Sequence, residues 1–375
     1  TSPSYSSMSL AVADLNKYGV CGPVNFKIRA GTYFEQIDFE SIEGVGLVNS
    51  ISVKPDAGAY SSVFLNFDSG YVAGFGEGSN FITFDSLEMG MSGAGNVVRI
   101  YGQSENLTFS NCILNGAITT STSSTNDVLI VVDGTSCNHL SITDNVIKNG
   151  AKGISLGGSN SGAIVTNAHV LRNEILYPYY RGIHFLRTDS CKINYNKIRI
   201  NTDHPDATGI ETVSIYVCDV IGNDIVVRAA DYAQGVDLWI YSKCLFANNM
   251  VSIPKPSSHQ QNHSRIRYSN GIKIINNNFF GRHQDSSESI FEIDDFYNDM
   301  VLKNNCFVND GDGYALELTN TPTRSNNNFY GGSGTRNVLG TAQGANGLNV
   351  DPFYLSDTNL HVQCGALKGQ AVADT

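Results

Sequence analysis

Six charged residues recur at nearly regular intervals and are the first candidates for chemistry. Each is the middle residue of a short triplet with mostly apolar flanks, as in GIHF, GIET and GVDL. In chain order they are His184, Glu211, Asp237, Arg267, Glu292 and Glu317. Because side chains of a β-strand alternate between its two faces, buried flanks would direct each middle residue to solvent. The pattern predicts a row of charged side chains on one exposed sheet face.

Two members of this row, Glu211 and Asp237, are carboxylic acids on consecutive triplets. If consecutive triplets form neighbouring strands, the two groups lie about 5 Å apart, the separation that retaining glycosidases use. Like charges this close cannot both ionise freely, so one acid is expected to hold a proton. With Arg267 beside Asp237, the hypothesis makes Glu211 the general acid and Asp237 the nucleophile or base. His184 and Arg267 would orient these groups or bind sugar hydroxyls.

The same row admits two other functions. The carboxylates can instead hold Ca²⁺, with Arg267 or a nearby tyrosine acting in β-elimination on a uronate polymer. Alternatively the row is a solvated face, stabilised by cross-strand pairs of opposite charge. Three classes therefore stay open: a polysaccharide hydrolase, a calcium-dependent polysaccharide lyase, and a non-catalytic adhesin or carbohydrate-binding protein. No cofactor is required for hydrolysis, and Ca²⁺ is the cofactor that the lyase would use.

A tyrosine-rich segment, YPYYRG, directly precedes the His184 triplet. Tyrosine rings at the edge of a groove stack on sugar rings and donate hydrogen bonds. Together with Glu292 of the row, this segment provides the candidate substrate-binding residues, which are Tyr177, Tyr179, Tyr180, Arg181 and Glu292.

A long segment, PKPSSHQQNHSR, directly precedes the Arg267 triplet and would wall the same groove. Long loops in compact folds tend to be functional or disordered. Its two histidines, His259 and His263, would converge on a metal only if the segment were helical. Pro254 and Pro256 oppose a helix, so no metal ligand is assigned.

The elements that would position the row are revealed by a second repeat. An asparagine recurs every 23 to 29 residues, with an apolar residue three positions before it and two positions after it, Ser325 being the exception. The asparagines are Asn145, Asn173, Asn196, Asn223, Asn249, Asn278, Asn305 and Asn328. A period of this length, with short β-branched segments and no helical spacing, indicates a solenoid of stacked β-coils. A leucine-rich repeat is excluded because its L-x-x-L-x-L pattern is missing.

The repeated asparagine is expected at a tight corner between two strands, in the left-handed conformation that asparagine tolerates. One coil apart, its amide would hydrogen-bond to the equivalent amides on either side, as asparagine ladders do in stacked parallel strands. Cys191, Cys218 and Cys244 lie five positions before their asparagines and should point inward as small apolar side chains. Absence of a CxxC pair argues against structural zinc.

The two ends differ from the repeats. In SMSLAVADLNKYG, Met8, Ala11 and Leu15 have helical spacing, and Gly19 can end the helix. Such a helix would cover the open edge of the first coil. The sequence thus predicts one domain over residues 1–375, with an N-terminal cap over 1–23, coils over 24–330 and a C-terminal cap or tail over 331–375.

The coil segments CKINYNKIR, CDVIGNDIV and CLFANNMVS resemble those of the right-handed parallel β-helix of the pectate-lyase-like superfamily, over about Phe26 to Tyr330. The segment from Leu10 to Phe39 is similar to the opening of large surface β-helix proteins of bacteria that use type IX secretion. The resemblance implies a right-handed coil and export. It implies no single chemistry, because relatives include lyases, glycoside hydrolases, epimerases and adhesin segments.

The chain departs from the catalytic patterns of that superfamily. The calcium-binding aspartates and R-x-P-x-x-R of pectate lyases are missing, as is the ordered series N-T-D, D-D, G-H-G and R-I-K of polygalacturonases. The tripeptide NTD occurs at Asn201–Asp203, but the chain contains no G-H-G or R-I-K. No catalytic residue is therefore assigned from the resemblance.

Charge and hydropathy limit the partners. The net charge of −11 disfavours nucleic acid and anionic membrane surfaces, and no run of 18 apolar residues predicts membrane insertion. The expected partner is a polysaccharide or surface glycan, and the expected location is secreted or on the cell surface. A larger surface protein that contains this chain is also compatible with the sequence.

Overall fold

The computed structural model describes residues 4–56, 62–132, 134–157, 164–229, 232–257, 264–267, 271–294, 300–319, 323–331, 338–339, 345–365 and 367. The chain divides into two compact units. The first unit comprises residues 1–179 and 183–191, and the second comprises residues 180–182 and 192–375. Each unit is a stretch of parallel β-solenoid, as the repeat predicted, and it is of the right-handed type that the resemblance implied.

The first unit begins with a helix and continues with short strands. They are α1 (Met8–Tyr18), β1 (Val24–Ile28), β2 (Gly31–Phe34), β3 (Ile37–Phe39), β4 (Ile51–Pro55), β5 (Val63–Phe67), β6 (Gly70–Phe75), β7 (Ile82–Asp85), β8 (Glu88–Met91), β9 (Gly95–Ile100), β10 (Ser104–Glu105), β11 (Leu107–Ser110), β12 (Ile113–Asn115), a 3₁₀ turn (Ser124–Asn126), β13 (Leu129–Val131), β14 (Cys137–Asn138), β15 (Ser141–Thr143), β16 (Val146–Lys148), β17 (Lys152–Leu156), β18 (Val165–Thr166), β19 (His169–Leu171), β20 (Glu174–Leu176), β21 (Arg181–Leu186) and β22 (Thr188–Asp189). Of β21, Arg181 and Gly182 belong to the second unit.

The second unit contains the remaining strands. They are β23 (Cys191–Asn194), β24 (Lys197–Asn201), β25 (Thr208–Ile215), β26 (Cys218–Ile221), β27 (Asp224–Arg228), β28 (Gln234–Ile240), β29 (Cys244–Ala247), β30 (Met250–Ser257), β31 (Arg265–Arg267), β32 (Lys273–Ile275), β33 (Asn278–His283), β34 (Glu292–Asp294), β35 (Val301–Lys303), β36 (Cys306–Asn309), β37 (Leu316–Leu318), β38 (Thr323–Ser325), β39 (Asn328–Gly331), β40 (Val338–Leu339), β41 (Tyr354–Ser356) and β42 (Asn359–Val362).

Each coil contributes one strand to each of three parallel sheets. In the first unit the first sheet runs β1-β4-β7-β11-β15-β19, the second β2-β5-β8-β12-β16-β20 and the third β3-β6-β9-β13-β17. A fourth sheet, β10-β14-β18-β22, is present in this unit. In the second unit the corresponding orders are β23-β26-β29-β32-β35-β38, β24-β27-β30-β33-β36-β39 and β25-β28-β31-β34-β37-β40. Equivalent positions of successive coils therefore become neighbours about 4.8 Å apart.

A buried asparagine ladder follows the corner between the first and second sheets. In the second unit, Asn223 donates from its backbone N–H and its Nδ2 to Asn249 Oδ1, both at 2.9 Å. Asn223 Nδ2 also donates to the carbonyl of Ile193 at 2.7 Å, so the side chain is saturated with partners. The first unit repeats the pattern between Asn145 and Asn173. The predicted amide-to-amide stacking is confirmed.

Two of the predicted ladder positions are wrong by one residue. Asn277 and Asn327 occupy the ladder, whereas Asn278 and Asn328 begin the next strands. The error arises because both sites are runs of three asparagines, so that sequence alone leaves the register open. Asn278 Nδ2 and Asn328 Nδ2 instead donate to carbonyls of the C-terminal segment, and thereby fasten that segment to the solenoid.

The left-handed residue of each corner is also displaced from the prediction. Positive φ occurs at the residue before the ladder asparagine, as at Asn248 (57°), Asn276 (59°) and Asn304 (57°). The corner needs one such residue, and the next residue must stay extended enough for its amide to reach both neighbouring coils. The residue with positive φ therefore turns the chain, and the asparagine that follows it links the coils.

The interior contains the predicted cysteines and stacked rings. Cys191, Cys218 and Cys244 are buried, and Cys218 lies directly opposite Cys244. Phe279 and Phe307 stack with ring centroids 4.8 Å apart at an interplanar angle of 2°. Such burial of apolar side chains, coil after coil, is the main stabilising contribution in a solenoid.

A helix closes the N-terminal end of the first unit, as predicted. Ser7 caps α1 at its N-terminus, Gly19 ends it at a φ of 66°, and Met8 and Leu15 are buried. Asn16 of the helix bonds to the carbonyl of Asp38 in β3, so α1 covers the first coil. In the second unit, β40 continues the third sheet beyond residue 330, and the antiparallel pair β41–β42 follows. Within the described residues, no helix has the length and apolar character to cross a membrane.

Candidate functional site

The third sheet of the second unit carries a row of charged side chains on its outer face. Strands β25, β28, β31, β34 and β37 place their residues in register from one coil to the next. The row, called the charge row below, consists of Glu211, Asp237, Arg265, Glu292 and Glu317. The predicted neighbour relation of Glu211 and Asp237 is confirmed, since each is the register partner of the other.

The predicted place of Arg267 in the row is wrong by two residues, because Arg265 occupies it. Arg267 lies opposite Trp239 and Asp294, whereas Arg265 lies opposite Asp237 and Glu292. The reason is local: β31 reads Arg-Ile-Arg, and both arginines point outward when Ile266 is buried. A sequence that is symmetrical about its inward residue cannot indicate which arginine occupies the row.

Asp237 is held by both arginines. Arg265 Nη2 is 2.9 Å from Asp237 Oδ2, and Arg267 Nη2 is 3.2 Å from Oδ1. The Asp237 side chain is 7% exposed, so this contact is shielded from solvent. Burial lowers the pKa of Arg265, but its hydrogen bond and charge interaction with Asp237 outweigh burial and raise that pKa above its ordinary value. Two guanidinium groups therefore converge on the single carboxyl group of Asp237.

Glu211 also has a guanidinium partner. Arg181 Nε lies 2.6 Å from Glu211 Oε2, and the two side chains are 18% and 13% exposed. The same guanidinium lies over the Tyr180 ring at 4.0 Å, and that ring contacts His204 at 4.6 Å between centroids. An arginine at this distance favours the carboxylate and opposes a neutral proton donor. The assignment of Glu211 as general acid stays a prediction, with this contact weighing against it.

The other predicted site residues belong to the first unit. His184 Nδ1 lies 3.4 Å from Ser155 Oγ, and Tyr179 donates its backbone N–H to the carbonyl of Gly150 at 2.9 Å. Tyr177 is 57% exposed and has a φ of 60°, which places it on a corner after β20. Their predicted roles beside Glu211 and Asp237 stay predictions.

Three aromatic side chains that the sequence analysis did not assign lie beside the charge row. Trp239 points outward between the buried Leu238 and Ile240, and Arg267 lies over its ring at 5.5 Å. The Trp239 and Tyr241 rings are 6.5 Å apart, and the Tyr241 and Tyr216 rings are 5.9 Å apart. We call Tyr216, Trp239 and Tyr241 the ring platform. Tyr216 and Tyr241 are 51% and 45% exposed, so the platform is open to a ligand.

The remaining predictions concern metals. His259 and His263 lie outside the described residues. Among the residues that the structure describes, no group of three or more His, Cys, Asp or Glu side chains is arranged to hold a metal ion. The arrangement of Glu211 and Asp237, each paired with guanidinium groups, leaves charge neutralisation to arginine.

Comparison with known proteins finds matches among solved structures. No protein-family model matches the chain, and no curated protein matches its sequence. Among solved structures, the catalytic unit of a thermostable GH87 α-1,3-glucanase from Streptomyces thermodiastaticus is 12% identical with a TM-score of 0.46, with 94% of this chain and 67% of that chain covered.

Two other solved structures have the same low identity. The catalytic domain of a GH87 α-1,3-glucanase in complex with nigerose is 12% identical with a TM-score of 0.48, and 93% of this chain and 67% of that chain are covered. PfbA, a surface adhesin of Streptococcus pneumoniae, is 12% identical with a TM-score of 0.42 and coverage of 90% and 86%. Similarity at this level assigns no activity to the chain.

Proposed function

We propose that this chain is an extracellular glycan-binding β-helix that holds a polysaccharide on the third sheet of its second unit. The observation that carries the proposal is the ring platform of Tyr216, Trp239 and Tyr241 beside the charge row. Tyrosine and tryptophan rings stack on the apolar faces of sugars while their polar edges keep hydrogen-bonding capacity.

The surface is preorganised for such a ligand. The rings and charges stand on paired strands, so little conformational freedom is lost when a ligand is bound. Arg265 and Arg267 are fixed by Asp237, and Arg181 is fixed by Glu211. Guanidinium and carboxylate groups held in this way offer donors and acceptors to sugar hydroxyls at constant positions.

Binding is favoured over catalysis by the partners of the two carboxylates. Glycoside hydrolysis needs one acid that keeps its proton at working pH and one ionised carboxylate. Glu211 and Asp237 both contact guanidinium groups, so each carboxyl group is already engaged in an ion pair. A carboxyl group held in this way is poorly placed to donate a proton to a leaving oxygen, but it can still help to bind a glycan.

The test is affinity for a panel of plant and marine polysaccharides, measured by affinity electrophoresis and calorimetry. Trp239→Ala and Tyr241→Ala should each weaken binding by about tenfold, since aromatic side chains at the centre of an interface contribute most of its affinity. Tyr18→Ala is the matched control, because Tyr18 is 69% exposed on α1 of the first unit. Unchanged affinity in both platform variants would contradict the proposal.

Hydrolysis by the carboxylate pair is the second candidate function. It is favoured by the direct register of Glu211 and Asp237, whose strand separation of about 4.8 Å is close to that of a retaining pair. A screen for reducing ends and for unsaturated products, with Ca²⁺ added or chelated, separates hydrolase, calcium-dependent lyase and binding protein. Activity that survives in both Glu211→Gln and Asp237→Asn would eliminate the pair as its source.

A further inference from the structure

A polar groove lies along the fourth sheet of the first unit, apart from every residue used above. Its volume is about 470 Å³, within the range of small-molecule sites. Glu77, Gln103 and Ile164 border it and are exposed, so the groove is open to solvent. The floor is formed by β10, β14 and β18, whose strands are only two residues long.

The floor presents hydrogen-bonding groups at the repeat of the coils. Glu105 of β10 lies opposite Asn138 of β14, and Asn138 lies opposite Thr166 of β18. Asn80 extends the row by one coil, because its Oδ1 accepts the backbone N–H of Glu105 at 2.8 Å. Four consecutive coils thus line up a side-chain amide, a carboxylate, a second amide and a hydroxyl, about 4.8 Å apart.

Contacts within the groove fix these groups in one orientation. Asn138 Oδ1 accepts from Thr166 Oγ1 at 2.6 Å and from Asn167 Nδ2 at 3.0 Å. Its own NH₂ group is therefore the part that faces a ligand as a donor. Glu77 Oε2 accepts the backbone N–H of Gln103 at 2.9 Å, which leaves Oε1 as an acceptor at the rim. Donors and acceptors alternate along the groove before any ligand arrives.

The lining residues discriminate between classes of ligand. None of the described residues that line the groove is Lys or Arg, and Glu77 and Glu105 repel an anion. Among the residues that the structure describes, no group of three or more His, Cys, Asp or Glu side chains is arranged here to hold a cation. The described lining also contains no aromatic ring on which a flat apolar ligand could stack. Alternating donors and acceptors at a regular repeat match a chain of sugar hydroxyls.

We propose that this groove is a second binding site, for a neutral, hydroxyl-rich oligosaccharide. It does not rest on the function proposed above, because none of its residues belongs to the second unit. The chain would then hold glycans at two independent places.

The test uses calorimetry on the full chain with five neutral probes: maltohexaose, cellohexaose, laminarihexaose, xylohexaose and mannohexaose. Hexagalacturonate is the anionic comparison. The double variant Gln103→Ala/Glu105→Ala should weaken binding of at least one neutral probe by tenfold or more. Glu88→Ala, a substitution of the same type on β8 of the second sheet, should leave binding unchanged. Circular dichroism confirms that each variant keeps its β-structure.

The outcomes separate this site from the ring platform. Binding in the groove should persist in Trp239→Ala. In the unsubstituted chain, binding in the groove should leave the fluorescence of Trp239 unchanged. If Trp239→Ala abolishes all binding while the groove double variant binds normally, the groove proposal is wrong and the platform proposal stands. Failure of every neutral probe at millimolar concentration, or tighter binding of hexagalacturonate, would also overturn the groove proposal.

Discussion

The asparagine ladder and the charge row are built by the same stacking of coils and differ in what the stacking achieves. In the ladder, one residue type repeats, and each amide donates to one neighbour and accepts from another. In the charge row, residue types change from coil to coil. Glu211 and Asp237 face each other as like charges, and each is neutralised by arginines that flank them.

The difference shows which positions a solenoid leaves available for function. A buried corner needs a self-complementary side chain, because an unpaired polar group there is costly. An outward position only needs a polar or aromatic side chain that solvent or a partner can satisfy. Uniform repeats therefore mark the framework, and departures from uniformity on one outer face, such as the ring platform, mark candidate sites.

The largest effect is expected from breaking the ladder with Asn249→Leu. The substitution removes four buried hydrogen bonds: the two that Asn249 accepts from the backbone N–H and Nδ2 of Asn223, and the two that its own Nδ2 donates to the carbonyl of Val220 and to Oδ1 of Asn277. At about 1–3 kcal/mol for each buried group, the free energy of unfolding should fall by about 4 kcal/mol or more. Urea unfolding measures this decrease in the free energy of unfolding. Asn248→Gly is the control, because Asn248 is exposed with positive φ. A comparable decrease in that variant would contradict the account.

A buried ion pair in the first unit should give the next largest effect. Lys152 Nζ lies 3.0 Å from Asp127 Oδ2, and both side chains are nearly inaccessible. Lys152→Met should cost about 3 kcal/mol, because it leaves a buried carboxylate without its counter-ion. Burial already raises the pKa of Asp127 above its ordinary value despite Lys152.

The pH dependence of that variant has a defined sign. A raised pKa means that the folded chain binds the proton more tightly than the unfolded chain, so stability falls as pH rises through the interval between the two values. Loss of Lys152 should raise the pKa of Asp127 further and enlarge this dependence. Urea unfolding at pH 5 and pH 8 should show the larger deficit at pH 8. A deficit independent of pH would contradict the assignment of the effect to Asp127.

The charge row should respond less than either buried site. Asp237→Asn and Arg265→Met should each cost about 1–2 kcal/mol, because the pair is shielded but not fully enclosed. A double-mutant cycle measures their coupling, which should be about 1 kcal/mol. Additive effects would show that Arg267 alone neutralises Asp237.

The smallest effect is expected from an exposed ion pair beside the asparagine ladder. Asp144 and Arg172 form a bidentate pair at 2.7 Å that is largely open to solvent. Exposed pairs contribute little because water screens them. Asp144→Asn should leave the urea midpoint unchanged within error and keep the positive φ at that corner. A clear shift would mean that corner charges, and not the ladder alone, stabilise the stacking.

Much of the framework could be predicted because the coil imposes a period. That period predicted the amide ladder, the buried cysteines and the register of Glu211 with Asp237. It could not resolve which asparagine of a triple run enters the ladder, or which arginine of Arg-Ile-Arg joins the row. In both cases the alternative registers have the same pattern of apolar and polar residues. Only the three-dimensional packing therefore decides which register forms.

The candidate site was predicted less completely than the framework. The contact of Arg181 with Glu211 depends on how far a long side chain reaches, which spacing does not reveal. The ring platform had a usable signal, since Asp237, Trp239 and Tyr241 alternate along one strand and its continuation. The fourth sheet had none, because two-residue strands show no periodicity.

Trp239 allows the most direct test, because it is the single tryptophan of the chain. Its fluorescence should shift and saturate during titration with the polysaccharide that binds best in affinity electrophoresis, at the concentrations where calorimetry reports binding. Tyr241→Ala should move both titrations to higher ligand concentration together. Saturable binding by calorimetry with no change in Trp239 fluorescence would place the glycan elsewhere and contradict the ring platform as its binding surface.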